Sequence, residues 1–571
     1  MNRHTITIEM SEKMLKLLVI GGYGTFGGRL VRLLEKEPRL TIIIAGRSLH
    51  KAETFIASCN GPATLEARSI DRDEDLQQQI VDIGPDYVID ASGPWQNYGA
   101  DAWRVAEAAI SSGTHYLDLA DSTEFVCGIS ALNDSALQEG VTALSGLSTC
   151  PALTAAVVRE LSREFESVES IAGGISPSPF AGMGRSVVNA IASYAGKSVA
   201  VLQSGVDTPL HTFVSTRRLV VRPAGVPPLP PMVFSLVDLP DLQLLGKVIA
   251  KPQSVWFGVA TRPAIYHSLL RLLAWGVKTG LFSSLRYLAG IMYLFVNHLS
   301  WGEHRGGLMI EIKGRDQDGK TATRSWHLLA EGDSGPNVPV LASTAIIRSH
   351  LDGRPPQPGA RPAHQELELA DFQSLFAEIG VTVGTHMGPS PVGWPLFREI
   401  LGDAWLELPP EIQELHGDKG CTSFAGSASV ERGNSVLSRI IGKLIGVPAA
   451  AASIPVEVVI EPSNGKEWWT RDFSGYRFGS EYSRGKGRIE GLICERFGPV
   501  RIGMALVWDG TQLNFIPRRW SFLGIPMPGA LAPSGNINES VVDGKFQFDV
   551  EIRLPFAGHV VTYKGWLEPK Y

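Results

Sequence analysis

Hydrophobic and polar positions follow two rhythms along this chain, and the change from one to the other divides it. In the first 166 residues, short unbroken apolar runs alternate with stretches whose apolar positions recur every three or four residues. The runs have strand length and the recurring stretches helix length. Strands are expected at 17–20 (LLVI), 40–45 (LTIIIA), 65–71, 87–91 (YVIDA), 116–120 (YLDLA) and 141–147. Helices are expected at 73–83, 100–111 and 152–165, and from Phe26 onward, where Leu30, Leu33 and Leu34 share a face. Such alternation predicts a parallel sheet covered on both faces. Near residue 384 the rhythm stops at GTHMGPSPVGWP, which reads as a linker. Beyond it come short helices at 397–401 and 410–416, then β runs at 425–431, 456–461, 467–473, 489–496, 500–507, 512–522, 545–554 and 558–567, with a helix at 436–444. Asp-Gly turns at 509–510 and 543–544 suit an antiparallel meander or curved sheet.

Between these regions the pattern is mixed. A strand is expected at 168–176, a helix at 187–194, a Pro-dense loop at 223–231, a strand pair at 307–314 and 324–330, and helices at 339–350 and 369–379. Residues 265–301 are the most apolar part, interrupted by Arg271, Lys278 and Arg286. Their longest uncharged run is short of the ~20 residues a membrane span needs. A buried helical hairpin or dimer interface is the first expectation, and an apolar substrate wall or membrane-docking surface the second.

The first strand runs into Gly22-x-Gly24-x-x-Gly27 and then a helix. Strand, glycine turn and helix together are the context of a dinucleotide site. Gly22 is expected to make the tight turn, Gly24 to admit a pyrophosphate, and Gly27 to let helix and strand pack. Tyr23, Thr25 and Phe26 complete the turn. An NAD site usually places an acidic residue about 20 positions further on, to accept from the ribose 2′-OH. The second strand ends here in Arg47-Ser48. A guanidinium grips a 2′-phosphate instead, which points to NADP(H). Ser48 adds a donor, and Asp71 and Ser92 stand at the ends of the third and fourth strands.

Ligands of such sheets bind beyond the carboxyl ends of the strands. Three stretches converge there: Ser92-Gly93-Pro94-Trp95, His115-Tyr116-Leu117-Asp118 running to Asp121, and Gly146 to Pro151. Gly93 and Pro94 are expected against the cofactor ribose and Trp95 against the nicotinamide. Tyr116, Asp118 and Ser148 are the candidates for proton donation or substrate orientation. Cys150 lacks a matched base and reads as a small filler. Ser186 and His304 are second-tier candidates.

Composition removes several classes. A formal net charge of −6 with no basic run gives nucleic acid no electrostatic footing. Five scattered cysteines argue against a disulfide framework or zinc site and for a reducing, cytoplasmic setting. The polar lead-in lacks the apolar segment of a signal peptide.

GGYGTFGGRL (21–30), AGRS (45–48), DASGPW (90–95), GTHYLDLAD (113–121) and SGLSTCP (145–151) resemble the saccharopine dehydrogenase family, with its branch of saccharopine dehydrogenase-like oxidoreductases and trans-acting enoyl reductases. The resemblance implies a Rossmann domain followed by an α+β domain. It also implies cofactor contacts at Gly22, Gly24, Gly27, Arg47, Gly93 and Pro94. VERG (430–433), WTRDF (469–473), GIPMP (524–528) and YKGWL (563–567) resemble a bacterial C-terminal domain of unknown function. The expected division is a lead-in at 1–14, an α/β Rossmann NADP-binding domain at 15–166, an α+β second domain at 167–383 and a mainly antiparallel β domain at 384–571. In the last, Trp468 to Phe473 and Arg518 to Trp520 suit either a pocket for an acidic or lipid headgroup or a salt-bridged core edge.

The expected function is hydride transfer to or from a C=N, C=O or activated C=C bond of a hydrophobic small molecule, lipid-like ones among the candidates, with NADP(H) as cofactor. A homodimer and peripheral membrane contact are compatible with the apolar middle. The alternative is a non-catalytic NADP(H)-binding sensor, or a scaffold presenting the C-terminal domain.

Overall fold

The computed structural model describes residues 14–249, 252–388, 395–417, 422–444 and 446–570. Most of the lead-in, residues 389–394 of the expected linker, and Cys421 lie outside the described residues.

The first sheet has seven parallel strands. β1 (Leu15–Ile20), β2 (Leu40–Gly46), β3 (Thr64–Ser69), β4 (Tyr87–Asp90), β5 (His115–Asp118) and β6 (Thr142–Ser145) are those the pattern marks out. They lie in the order β6-β5-β4-β1-β2-β3, and a seventh strand, Gly359–Pro362, pairs in parallel with β6 at the edge. No strand signal marks that segment. Four residues with a proline and an arginine carry no alternation, and their pairing partner is more than 200 positions away. β1 sits at the centre because Leu17 to Ile20 is an unbroken apolar run, with Leu17, Leu18 and Val19 fully buried. Asp75 caps the helix Leu76–Ile83 by accepting from Gln78 N at 3.2 Å, so that helix starts three residues later than its pattern. The helix expected at 152–165 is shorter, Thr154–Ser162, behind a wide turn at Thr149–Leu153; Phe165 already opens the next strand.

That strand, Phe165–Ser176, is the spine of the second sheet. The strand order is Thr216–Leu219, Met232–Leu236, Ser254–Val259, Phe165–Ser176, Arg305–Asp316, Thr321–Glu331 and Val381–Gly388. All neighbours are antiparallel except Ser254–Val259 with Phe165–Ser176. Gly384 to Gly388 are therefore strand and not linker. One apolar core runs without a break from β1 through this sheet, so the first two domains share an interior.

The apolar stretch forms two helices, Ala264–Lys278 and Ala289–His298. They are not a buried hairpin: Ile265, Leu272, Trp275, Ile291 and Leu294 are exposed in the single chain, and Tyr287 is 90% exposed. No helix among the described residues is long and apolar enough to cross a membrane.

The C-terminal domain is a closed antiparallel barrel. Eleven strands run from Thr422–Arg432 to Gly558–Pro569; these two pair with each other, and Val500–Trp508 pairs with Gln512–Phe522. The short strand Ile525–Pro526 hangs outside, leaving ten in the ring. Closure removes every free edge. The helices Leu396–Leu401 and Pro410–His416 pack at one end, with Phe397 fully buried and stacked on His416 at 3.7 Å between ring centres. Arg518 bonds Glu303, and Arg484 bonds Glu399, tying the barrel to what precedes it.

Phe397 is packed against the rings of His416, Trp469, Tyr482 and Phe515. Phe397→Ala is expected to cost about 3–5 kcal/mol of barrel stability, seen as an earlier urea transition in the fluorescence of the adjacent tryptophan.

Candidate active site

The turn after β1 is built by glycines at contact distance. Gly21 adopts φ +79°, and a Cβ there would stand 2.8 Å from Ala91 O. The left-handed residue is thus Gly21, one position before the expected Gly22, whose own Cβ would meet Val19 O at 2.9 Å. A Cβ at Gly27 would fall 2.2 Å from Gly21 O, so the helix Gly27–Leu34 packs on the turn at a separation only glycine permits. At Gly24 a Cβ would touch only Gly21 O and otherwise enter open space. Gly24 and Thr25 are exposed, and Phe26 is half-buried. This shape fits a pyrophosphate lying over Gly24 against the helix N-terminus.

At the end of β2, Arg47 is exposed, and no hydrogen bond or ion pair among the described residues engages its guanidinium. Ser48, not Arg47, caps the following helix, accepting from Lys51 N at 3.4 Å. Ser48 N donates to Tyr23 OH at 3.1 Å, which ties the glycine turn to the tip of β2. Asp71 lies just past β3 and accepts from Asp73 N. Arg72 next to it stacks on Tyr98, 3.5 Å from the ring centre. Ser92 donates through N and Oγ to Asp90 Oδ1, at 2.9 and 2.5 Å, and its Oγ meets Tyr98 OH at 2.9 Å. Gly93 and Pro94 follow, with Trp95 folded over Gly93. The four loops therefore stand along one carboxyl edge.

Two of the three catalytic candidates are not at the surface of this cleft. Tyr116 and Asp118 are 0% exposed. Neither presents an atom to a bound molecule, so direct proton donation by them is corrected. Asp118 Oδ1 accepts from Gly146 N at 2.7 Å and Ala120 N at 2.9 Å, holding the loops after β5 and β6. Burial pushes its carboxyl up to about 7 and drives the Tyr116 phenol well above its ordinary range. Asp90 is raised by burial too. Ser148 remains half-buried at the cleft, its N–H bonded back to Gly146 O. Cys150 is buried, and burial pushes its thiol well up. Ser186 sits in the first turn of the helix Arg185–Tyr194, whose cap is Gly184. His304 stands against Phe180, with Nε2 3.5 Å from Asp333 Oδ1.

The groups the structure gathers instead are Asp121, Gln96, Asp238 and Tyr194. Gln96 Nε2 donates to Asp121 Oδ1 at 2.9 Å, and Thr123 Oγ1 to Asp238 Oδ1 at 2.7 Å. Burial, then the Asp238 charge, raises the Asp121 carboxyl. Burial and these two carboxylates raise the Tyr194 phenol. Asp121 and Tyr194 are only half-buried. Asp238 and Tyr194 come from the second domain, more than 70 residues beyond Asp121, and nothing local in the sequence links them to it. The loop at 182–184 closes the other side: a Cβ at Gly184 would lie 3.8 Å from Thr25 Oγ1. Asn297, from the apolar helix pair, fixes that loop by bonding Met183 N and O at 2.9 and 3.1 Å. Among the described residues no group of three or more His, Cys, Asp or Glu is arranged to hold a metal ion.

A glycine turn of this geometry on the central strand of a parallel sheet defines a dinucleotide-binding domain. Residues 17–144 match the saccharopine dehydrogenase NADP binding domain, and residues 408–567 match a domain of unknown function, DUF4166. The chain therefore joins these two domain families, and its first domain is that of a dehydrogenase-type oxidoreductase using a nicotinamide dinucleotide. Among solved structures it is similar to apo saccharopine dehydrogenase (L-Glu forming) from Saccharomyces cerevisiae, at 14% identity over 65% of this chain and 99% of that one, with a TM-score of 0.47. GenD2 from gentamicin A biosynthesis, in complex with NAD, is 13% identical over 64% and 93%, with a TM-score of 0.32. The WlbA (WbpB) dehydrogenase from Thermus thermophilus, with NAD and alpha-ketoglutarate, is 12% identical over 63% and 94%, with a TM-score of 0.30. Comparison with curated proteins gave no match.

Asp118 has a testable linkage. Its folded pKa lies above the unfolded value, so the folded state holds the extra proton between about pH 4 and pH 7. That contribution is complete below about pH 4 and is lost as pH rises through 7, at up to about 1.4 kcal/mol per pH unit. Asp118→Asn should flatten the decline in stability between pH 4 and pH 8, measured by denaturant titration at each pH.

Proposed function

We propose that the protein is an NADP(H)-dependent oxidoreductase acting on a C=N, C=O or activated C=C bond of an apolar small molecule. One observation carries the reading. The unpaired Arg47 beyond β2, the open space over Gly24 beyond β1 and the half-buried Asp121 beyond β5 lie along a single carboxyl edge, at one end, the middle and the other end of a bound dinucleotide's path. Arg47 would hold the 2′-phosphate as a two-donor fork with no internal acid to release first. When bound, the nicotinamide supplies or takes the hydride. Asp121 holds the balancing proton. Burial and the neighbouring Asp238 charge raise its carboxyl, which favours a bound proton, and Gln96 fixes its orientation. Ser148 and Tyr194 line the same cleft and orient the substrate.

The cover of the site supports an apolar substrate class. A cavity of about 170 Å³ opens beside the 182–184 loop, walled by Met183, Ile191, Leu269, Leu273, Met292 and Phe295. The helices that build it belong to the exposed apolar ridge.

Two substitutions test the roles separately. Arg47→Asp should weaken NADPH binding about 10- to 100-fold, the loss of one or two charged hydrogen bonds, and leave NADH binding near its starting value, both read by nucleotide fluorescence. Unchanged preference would remove the NADP(H) assignment. Asp121→Asn should keep nucleotide affinity and lower turnover about 10²- to 10⁴-fold on a panel of apolar aldehydes, imines and enoyl compounds. An Asp121→Asn enzyme with full turnover would move the proton role elsewhere.

A further inference from the structure

The barrel of the C-terminal domain is hollow, with a cavity of about 280 Å³ inside the ring. Protein interiors are otherwise close-packed, so a void of this size within a small closed barrel is a built feature. The strand Thr422–Arg432 spans the barrel between two helical elements. Before it, Phe397 and Leu415 of the plugging helices reach the lumen. After it comes the helix Val436–Leu444, whose Ile441 lines the cavity while Val436, Leu437 and Ile440 are exposed. One end is stopped by buried aromatics, and the other is covered by a single amphipathic helix.

The lining is apolar apart from one cluster. Along Lys466–Phe473 alternate residues Trp469, Arg471 and Phe473 face the lumen, while Trp468 faces outward. Arg471 Nη1 donates to Ser480 Oγ at 2.9 Å, and its Nη2 reaches Tyr482 OH at 3.5 Å and Glu495 Oε1 at 3.7 Å. Ser480 Oγ in turn donates to Glu495 at 2.7 Å. The guanidinium carbon lies 5.3 Å from the centre of the Trp469 ring. Arg471 and Glu495 keep 13% and 18% of their side-chain surface, and that surface faces the cavity. Tyr563 completes the cluster, and burial pushes its phenol up to about 12, so it stays a neutral donor.

The second observation is charge. Arg471 is already balanced by Glu495 and Glu551 by Arg553 at 2.9 Å, while His416 Nε2 stands 2.6 Å from Glu539 Oε2. An anionic headgroup would bring an unbalanced charge into a low-dielectric lumen. An uncharged oxygen would not, and the long Arg471–Tyr482 and Arg471–Glu495 contacts leave donor capacity for one. The acidic headgroup that the sequence kept open for this aromatic-basic stretch is therefore the disfavoured occupant. Arg518 and Trp520 do not share in the lumen, since Arg518 bonds Glu303 and Trp520 Nε1 donates to Pro528 O.

We propose that the barrel lumen is a binding site for an uncharged, elongated apolar molecule with one hydroxyl or carbonyl oxygen, received by Arg471 and Tyr563. The site is separate from the dinucleotide cleft and does not depend on the oxidoreductase reading.

The test uses the full-length protein and the neutral fluorophore N-phenyl-1-naphthylamine, with decanol, decanal and decanoate as competitors at pH 8. Decanol and decanal should displace the dye, and decanoate should need at least about tenfold more, the cost of one uncompensated charge contact. Met504→Trp, which fills the lumen, should abolish dye binding there while a cooperative urea transition of the barrel persists and reports that the domain is folded. Arg471→Met and the milder Tyr563→Phe should weaken decanol about tenfold or less with dye affinity nearly unchanged. Dye binding unaltered by Met504→Trp would overturn the lumen as the site. Decanoate competing as well as decanol would overturn the uncharged class, and decanol unaffected by both polar substitutions would overturn the assigned oxygen contact.

Discussion

The separation between the end of β1 and the helix that follows it is the constraint on which the N-terminal half depends. At Gly27 the helix lies so close to Gly21 that a single added carbon would sit 2.2 Å from a backbone oxygen. That closeness aims the helix N-terminus at the space over Gly24. It also brings Tyr23 across to the tip of β2, where its hydroxyl accepts from Ser48 N at 3.1 Å. The position of Arg47 is thus set by the glycine turn as well as by its own strand. Any residue larger than glycine at position 27 would shift the helix, the tyrosine and the guanidinium together.

Behind this edge lies a layer of carboxyls out of water. Asp90 and Asp118 end neighbouring strands, fully buried, and each holds the backbone or side chain of the loop that follows. Such groups are expensive to desolvate, and each offsets part of that cost by accepting from N–H groups that would otherwise be orphaned. Their work is to set loop geometry. The carboxyl left for chemistry is Asp121, three residues past β5, where the chain has turned into the cleft. A one-dimensional pattern puts Tyr116 and Asp118 on one face of a strand but cannot tell whether that face meets a cofactor or a helix. Here it meets the helix layer, where Tyr116 packs with Val105 and Ile129.

The legible parts of the fold were those whose signal is local. The six apolar runs of the first sheet, the glycine turn and the helix 436–444 carry their own periodicity, and they are where the pattern places them. Gly359–Pro362 carries none and becomes a strand only because β6 offers an open edge. In the barrel, Tyr476–Arg484 and Ile537–Val542 gave no signal, since YRFGSEYSR is mostly polar or small and INESVV is too short to alternate. The ring closes around them because their neighbours leave two free edges that these segments alone can satisfy. The cleft was half legible. Its floor lies in the first domain and could be read there, while Asp238 and Tyr194 are brought in by a second sheet whose core is continuous with the first.

That shared core separates the two cavities of the molecule in kind. The cleft lies between domains whose interiors are one, so its walls are held by packing on both sides. The barrel has its own interior. It meets the second domain through ion pairs such as Arg518–Glu303 and Arg218–Glu490, on partly exposed side chains. Contacts of that type contribute little to stability and are screened by salt. The barrel therefore owes its stability to ring closure and to the plug around Phe397, and its hollow is a property of its own ten strands. A lumen with a balanced Arg–Glu pair and an exposed covering helix is arranged to be entered, and the entry need not disturb the dinucleotide edge.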